Sequence, residues 1–327
     1  MDFKLFILSL VISQTVFSQN GSLTITSVSQ RADGSGIVDV YFDLSGPENN
    51  YYISLEASFD AGSTYTPIDH SGTSGDLGPI SAGSNKHLIW NGFQSTPNMY
   101  STQTKLKVTA GTIPTYITDI DGNVYQTVMI GQQLWMKENL KTTRYRNGTS
   151  LVYPGNNNTT WQNNTTGAYA WYNNDISWKS SYGALYNWFA ATNSNGLCPT
   201  GWHVPSSSEW VQLINYIGGS SGGGNKLKSC RQDNSPLGGN CNTSIHPYWT
   251  SNLTHFGTDD YGFSAFPGGE RMGTGSFIYF GLSGIWWTST QNNSSTAWYR
   301  DLGYNYGVVG SYYYIKSAGH SVRCVKD

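Results

Sequence analysis

Apolar and polar residues alternate along much of the first third of the chain. Val38, Val40, Phe42 and Leu44 alternate with Asp39, Tyr41 and Asp43, and Ile53, Leu55, Ala57 and Phe59 alternate with Ser54, Glu56 and Ser58. A period of two turns one apolar face inward, which predicts successive strands. Leu106, Val108 and Ala110 predict a last strand, and Gly46-Pro47 and Asp60-Ala61-Gly62 predict turns. The spacing predicts a β-sandwich over residues 19–110. Asp33, Asp60, Asp69 and Asp76 fall at turns, where capping of backbone amides is expected before calcium binding.

Beyond residue 110 the pattern changes. Gly111-Thr112-Ile113-Pro114-Thr115 has the composition of a short, stiff linker, and a second domain is expected over residues 116–327. Asp121-Gly122 is a hairpin signal leading into a strand from Val124 to Ile130. Ser206-Ser207-Ser208-Glu209 reads as a capping box, in which the Ser206 hydroxyl accepts an amide and Glu209 reaches back. Behind it Trp210, Leu213, Ile214 and Ile217 fall at helical spacing, and Gly218-Gly219 ends the helix. Glu209 is therefore expected to be a cap, and His203, with no carboxylate beside it in sequence, to be structural. The run Gly219 to Lys226 departs from a phosphate loop, because Asn225 separates Gly224 from Lys226 and the run follows a helix.

At the other end, Lys4, the apolar run Leu5 to Ile12 and Val16-Phe17-Ser18 predict a cleaved export signal over residues 1–18. That run is shorter than the roughly 20 apolar residues a spanning helix needs. The mature chain is therefore expected to be secreted, cell-surface or periplasmic, without membrane insertion. Charged residues make up 12% of the chain and the net charge is −2. Soluble domains carry about 25% charged residues, and neutralising phosphates needs a basic face; nucleic-acid binding is not expected. Gly, Asn, Ser, Thr, Tyr and Trp take the place of charge, as in adhesive extracellular proteins.

The four cysteines, Cys198, Cys230, Cys241 and Cys324, lie in the second domain, and export places them where disulfides persist. Four thiols allow three pairings. Cys230 and Cys241 bracket a loop rich in Gly, Pro, Asn and Ser, which favours a local bridge and leaves Cys198 for Cys324. Zinc needs tighter ligand spacing, so no metal is expected, and nothing in the chain calls for a cofactor. Catalytic signatures such as Gly-x-Ser-x-Gly, His-Glu-x-x-His and Cys-x-x-Cys are missing.

Several blocks of the second domain resemble, in order, the Fibrobacter succinogenes major paralogous domain of bacterial surface and secreted proteins. They are Gly131 to Thr143, Gly183 to Trp188, Cys198 to Trp210, Gly262 to Arg271, Gly284 to Thr290, Ala297 to Arg300 and Ser321 to Asp327. The helix start around Ser206 and the closing Val322-Arg323-Cys324 also resemble formylglycine-generating enzymes. That likeness implies a C-type-lectin-like fold, in which a long disulfide ties the first helix region to the last strand, in agreement with Cys198–Cys324. Those enzymes bind copper through two closely spaced cysteines near that strand; Cys324 stands alone, so their oxidase chemistry is not expected. The first domain lies outside these likenesses and resembles only the broad immunoglobulin or fibronectin-like class.

The whole is expected to be α+β, a β-sandwich followed by a C-type-lectin-like domain. It is read as a non-catalytic binding module for a glycan or an extracellular protein. An enzyme of different chemistry on the formylglycine-generating fold is the alternative, and a structural surface protein without a ligand is a third. Aromatic density from Trp161 to Trp188 and from Trp286 to Tyr314 supplies rings for stacking, though single tryptophans of this set are expected in the core. The lectin calcium motifs are missing. Recognition is expected on an irregular insert from Trp249 to Trp298, because loops on rigid scaffolds carry function. Its candidate ligand residues are Asp259, Asp260, Glu270, Arg271, Trp286 and Trp287, and the tyrosine-rich segment from Tyr304 to Tyr314 is the next candidate.

Overall fold

The structure is a computed structural model and describes residues 22–327, save 49, 69–71, 96–100 and 102. The expected export signal, residues 1–18, and Asp69 lie outside the described residues. The chain divides into two compact units with the boundary between Pro114 and Thr115. Both are rich in β-structure.

In the first unit, strand Ile37–Ser45 lies between Ser22–Gln30 and Gly83–Asn91, with Thr73–Gly75 at the edge. A second sheet has Tyr51–Ser58 at its centre, paired with Lys105–Thr112 and with the short strands Thr66–Pro67 and Gly78–Ile80. The inward residues of both sheets meet in one core: Val38, Val40, Phe42, Leu44, Ile53, Leu55, Ala57, Leu88, Trp90, Leu106, Val108 and Ala110. Each Val, Leu, Ile or Phe of this set contributes about 1.5–3 kcal/mol when fully buried and the alanines less, so the alternation is a main source of this unit's stability. Outward, Tyr41 stacks on His87 at 4.3 Å, and Asp39 accepts from both Arg31 and His87. The turn aspartates cap: Asp33 accepts the Ser35 amide, Asp60 the Thr64 amide and Asp76 the His87 amide. The expected linker is shorter than its composition implies, because Gly111 and Thr112 pair with Tyr52 and Tyr51 as the end of the last strand. Main-chain pairing continues there regardless of side chains.

In the second unit, one sheet runs in the order Trp202–His203, Val325–Lys326, Gln133–Met136, Val124–Ile130, Tyr116–Thr118. Val325–Lys326 is thus inserted between Gln133–Met136 and Trp202–His203. A second sheet orders Tyr169–Ala170, Leu185–Asn187, Gly319–His320, Glu270–Arg271 and Phe277–Ile278, and a third orders Ser283–Gln291, Thr296–Gly303 and Gly310–Ile315. Helix Ser207–Tyr216 carries the complete capping box, with Ser206 accepting from the Glu209 amide and Glu209 accepting from the Ser206 amide. Its buried face, Trp210, Leu213 and Ile214, joins Trp135, Trp249, Phe263, Trp286 and Val325 in the main core. Cys198 is bonded to Cys324 and Cys230 to Cys241, with Cα separations of 6.0 and 5.4 Å. Among the described residues, no helix is long and apolar enough to cross a membrane.

Several cations are buried here without a carboxylate. Lys228 is 1% exposed and donates to the carbonyls of His255, Gly303 and Tyr306. Arg323 is fully buried over the Phe263 ring at 4.3 Å, donating to the carbonyls of Phe263 and Ser264 and to Asn139. Carbonyl dipoles and ring faces do the work that counter-ions do elsewhere.

Candidate functional site

The expected ligand residues do not form an exposed face. Trp286 and Trp287 are fully buried, their indole N–H groups donating to Asn139 Oδ1 and to the Tyr186 carbonyl. Arg271 is also fully buried, donating to the carbonyls of Gly155 and Gly275 and to Asn158. Glu270 is 7% exposed. Asp259 is half-buried and spends its two oxygens on the amide and hydroxyl of Ser264, while burial raises its pKa. Of the six, Asp260 alone is exposed. The insert is also less irregular than expected, since Ser283–Gln291 and the start of Thr296–Gly303 are strands of the third sheet.

That sheet brings another set of groups together. Its registers pair Trp287 with Tyr299 and Tyr299 with Tyr312, a row of rings across three strands. Asp301 lies two residues along the middle strand, on the same face by alternation. From the second sheet, the pairing of Arg271 with Gly319 sets Glu270 beside His320, whose Nε2 is 2.8 Å from Glu270 Oε2. On the other side of Glu270–Arg271, Gly269 admits the Phe277–Ile278 strand: its φ is +66°, and a Cβ there would overlap the Ile278 carbonyl oxygen. The His320 ring stacks on Trp287 at 4.0 Å, meets Tyr299 edge-on at 4.9 Å and lies nearly parallel to Tyr314 at 6.3 Å.

The floor of the site is therefore Trp287, His320, Glu270 and Asp301, and its rim is tyrosine. Tyr312 is 53% exposed, and Tyr299, Tyr306 and Tyr314 are half-buried. Tyr306 donates its hydroxyl to Asp301 Oδ1. Burial raises the Asp301 pKa, with the charge of Glu270 adding to it and the Tyr306 hydroxyl and His320 opposing. The Tyr314 pKa is raised by burial and then by the charges of Glu270 and Tyr279. Tyr279 is half-exposed at a backbone φ of 64°, a region bulky side chains avoid. Its carbonyl accepts the amides of both Leu282 and Ser283, which holds the turn.

A second ring cluster lies around His246, which stacks on Tyr248 at 4.0 Å and contacts Trp178 edge-on at 5.1 Å. Among the described residues, no group of three or more His, Cys, Asp or Glu could hold a metal. Every tryptophan except Trp178 and Trp298 is buried, so most indole rings are core, and the rings that reach solvent on this sheet are tyrosines such as Tyr312 and Tyr313.

Sequence reasoning missed Glu270 with His320 as a pair because they are 50 residues apart, and missed the burial of Arg271 because charge in a glycine-rich stretch reads as loop. Tyr299 and Asp301 stand two residues apart, a spacing that puts them on one face of a strand and is visible in the sequence. His203 does have a carboxylate partner, Glu209 Oε1 at 2.8 Å, brought round by the first helical turn.

Residues 128–326 match the model of the Fibrobacter succinogenes major domain family. No curated protein and no solved structure matches the chain.

Proposed function

This chain belongs to the Fibrobacter succinogenes major domain family, and we propose that it is an exported, non-catalytic binding protein whose second unit holds a glycan on the tyrosine face of its third sheet. The observation that carries this reading is the row of Tyr299 and Tyr312, with Tyr314 beside it, over a floor holding two carboxylates. Sugar rings stack on aromatic faces, and carboxylates accept bonds from their hydroxyls; tyrosine also offers large area at low rotamer cost. The two disulfides support an oxidising destination, whether secreted, cell-surface or periplasmic.

We further read the first unit as immunoglobulin- or fibronectin-like, on the support of two sheets facing one core. The second we read as C-type-lectin-like, on the support of the bridge from Cys198, ahead of the capped helix, to Cys324, beside the last strand. The absence of free cysteines among the described residues speaks against copper-dependent oxidase chemistry of the formylglycine-generating kind. The pairing of Glu270 with His320, beside an Asp301 of raised pKa, is what favours an enzyme. Supporting the binding reading instead, no Ser, Thr or Cys is bonded to His320 among the described residues, and its Nδ1 has no partner.

The test is a glycan array probed with the full mature chain and with Tyr312→Ala. Binding by the parent chain and its loss in the variant, at an unchanged melting temperature, is the expected result. Equal binding by the variant would place the site elsewhere, with the His246 and Trp178 rings the next surface to mutate.

A further inference from the structure

The charge of the tyrosine-rimmed site is unbalanced. Glu270 and Asp301 are 7% and 8% exposed, and they share one imidazole. Glu270 Oε1 and Asp301 Oδ2 have no hydrogen-bond partner among the described residues, and neither is fully enclosed, so both remain open to solvent. His320 Nδ1, by contrast, is enclosed and unpartnered. The nearby cations are turned elsewhere. Arg271 projects to Gly155 and Asn158, Arg300 to Ser207 and Ser311, and Lys316 to Gln291 and Ser294. No lysine or arginine acts on Asp301 or Tyr314.

Two largely buried carboxylates facing at most one positive charge leave an excess of negative charge, and burying a charge without a partner is costly. The Tyr306 hydroxyl and His320 offset part of this at Asp301, and burial still leaves its pKa raised. The electron-rich faces of Tyr299, Tyr312 and Tyr314 attract cations as well. Everything on this face is therefore complementary to a positive group on a ring-shaped ligand.

Resting on the glycan-binding reading above, we infer that the site selects a glycan bearing a free primary amine, its ammonium group received by the open oxygens of Glu270 and Asp301 while a sugar ring lies on Tyr312. The structure already supplies both halves of this recognition. Acetylation of the amine removes the charge and adds bulk where the carboxylates wait, so an N-acetylated chain of the same length is discriminated against.

The experiment is calorimetric titration of the full mature chain with glucosamine hexamer, N-acetylglucosamine hexamer and cellohexaose at about pH 6, where the amine is protonated and an ordinary carboxylate is not. The amine-bearing hexamer is expected to bind at least about tenfold more tightly than either neutral one, a difference of about 1.4 kcal/mol. Added salt should narrow that gap. Glu270→Gln and Asp301→Asn should each bring the three ligands close to equal affinity, with melting temperatures confirming that the variants fold. Neutral hexamers that bind as well as the amine, or a preference that survives both substitutions, would overturn the inference while leaving the glycan reading standing. Binding of a lysine peptide as tight as that of the glucosamine hexamer would overturn the glycan component. A glycan array negative throughout would remove the reading beneath it.

Discussion

The guanidinium of Arg271 lies 4.4 Å over the centroid of the Trp161 ring, and no carboxylate of the described residues pairs with it. It is held by the carbonyls of Gly155 and Gly275 and the amide oxygen of Asn158, so one side chain fastens segments more than a hundred residues apart. Burial lowers its pKa to about 10. Arg271→Ala is expected to cost about 3 kcal/mol or more, because buried acceptors lose their donors and Trp161 loses its cover. Arg271→Lys should recover little, since an ammonium cannot reproduce the planar fork. Denaturant unfolding checks both; a variant as stable as the parent would contradict the assigned role.

The helix start offers a graded series. Ser206→Ala removes one cap bond and should cost about 1 kcal/mol. Glu209→Ala should cost more, because Glu209 is fully buried and serves both the Ser206 amide and His203 Nε2. His203→Ala, at a half-buried position, should cost least. Thermal melts of the three variants test that order.

Stability should peak on the alkaline side of neutrality. Burial lowers the Lys228 pKa from 10.5 to about 8. Between those values the unfolded chain binds a proton that the folded chain does not, so this group makes stability rise with pH up to 10.5 and contributes a constant penalty below 8. Tyr125, Tyr182 and Tyr186 have pKa values raised chiefly by burial, and that of Tyr145 is raised to about 12. Above pH 10 the unfolded chain releases their protons while the folded chain keeps them, so stability falls. Melting temperatures from pH 7 to 11 should therefore rise and then drop, with tyrosinate absorbance appearing together with unfolding.

The two bridges should differ in worth. Cys198–Cys324 closes 126 residues and Cys230–Cys241 closes 11. In the chain-entropy account the long loop contributes nearer 5 kcal/mol and the short one about 3. The double alanine variant of the long pair should melt lower than that of the short pair, and the reverse order would show that native-state effects outweigh loop closure.

The first unit was legible where side chains carry the signal. Val38, Val40, Phe42 and Leu44 are all buried, as their alternation requires. It was not legible at Gly111 and Thr112, whose strand pairing depends on the backbone of Tyr51 and Tyr52. In the second unit the capping box could be read because it is local, whereas the site could not. Glu270, Arg271, Trp286 and Trp287 look like a polar, aromatic loop in one dimension. Their burial rests on partners such as Asn139, Gly155, Tyr186 and His320, which only the closed chain brings near. Periodicity detects apolar faces; it has no signature for a cation satisfied by carbonyls and rings.

The two bridges are nested, Cys230–Cys241 lying within the span of Cys198–Cys324, and Leu237 in the small loop is 47% exposed. A protease that cuts the chain at such a place breaks a peptide bond without releasing anything. Both pieces stay joined through two covalent links, and the cut ends lie within a loop that carries neither the capped helix nor the tyrosine face. Backbone scission there would be a scar rather than a death, visible as two bands on a gel only after reduction.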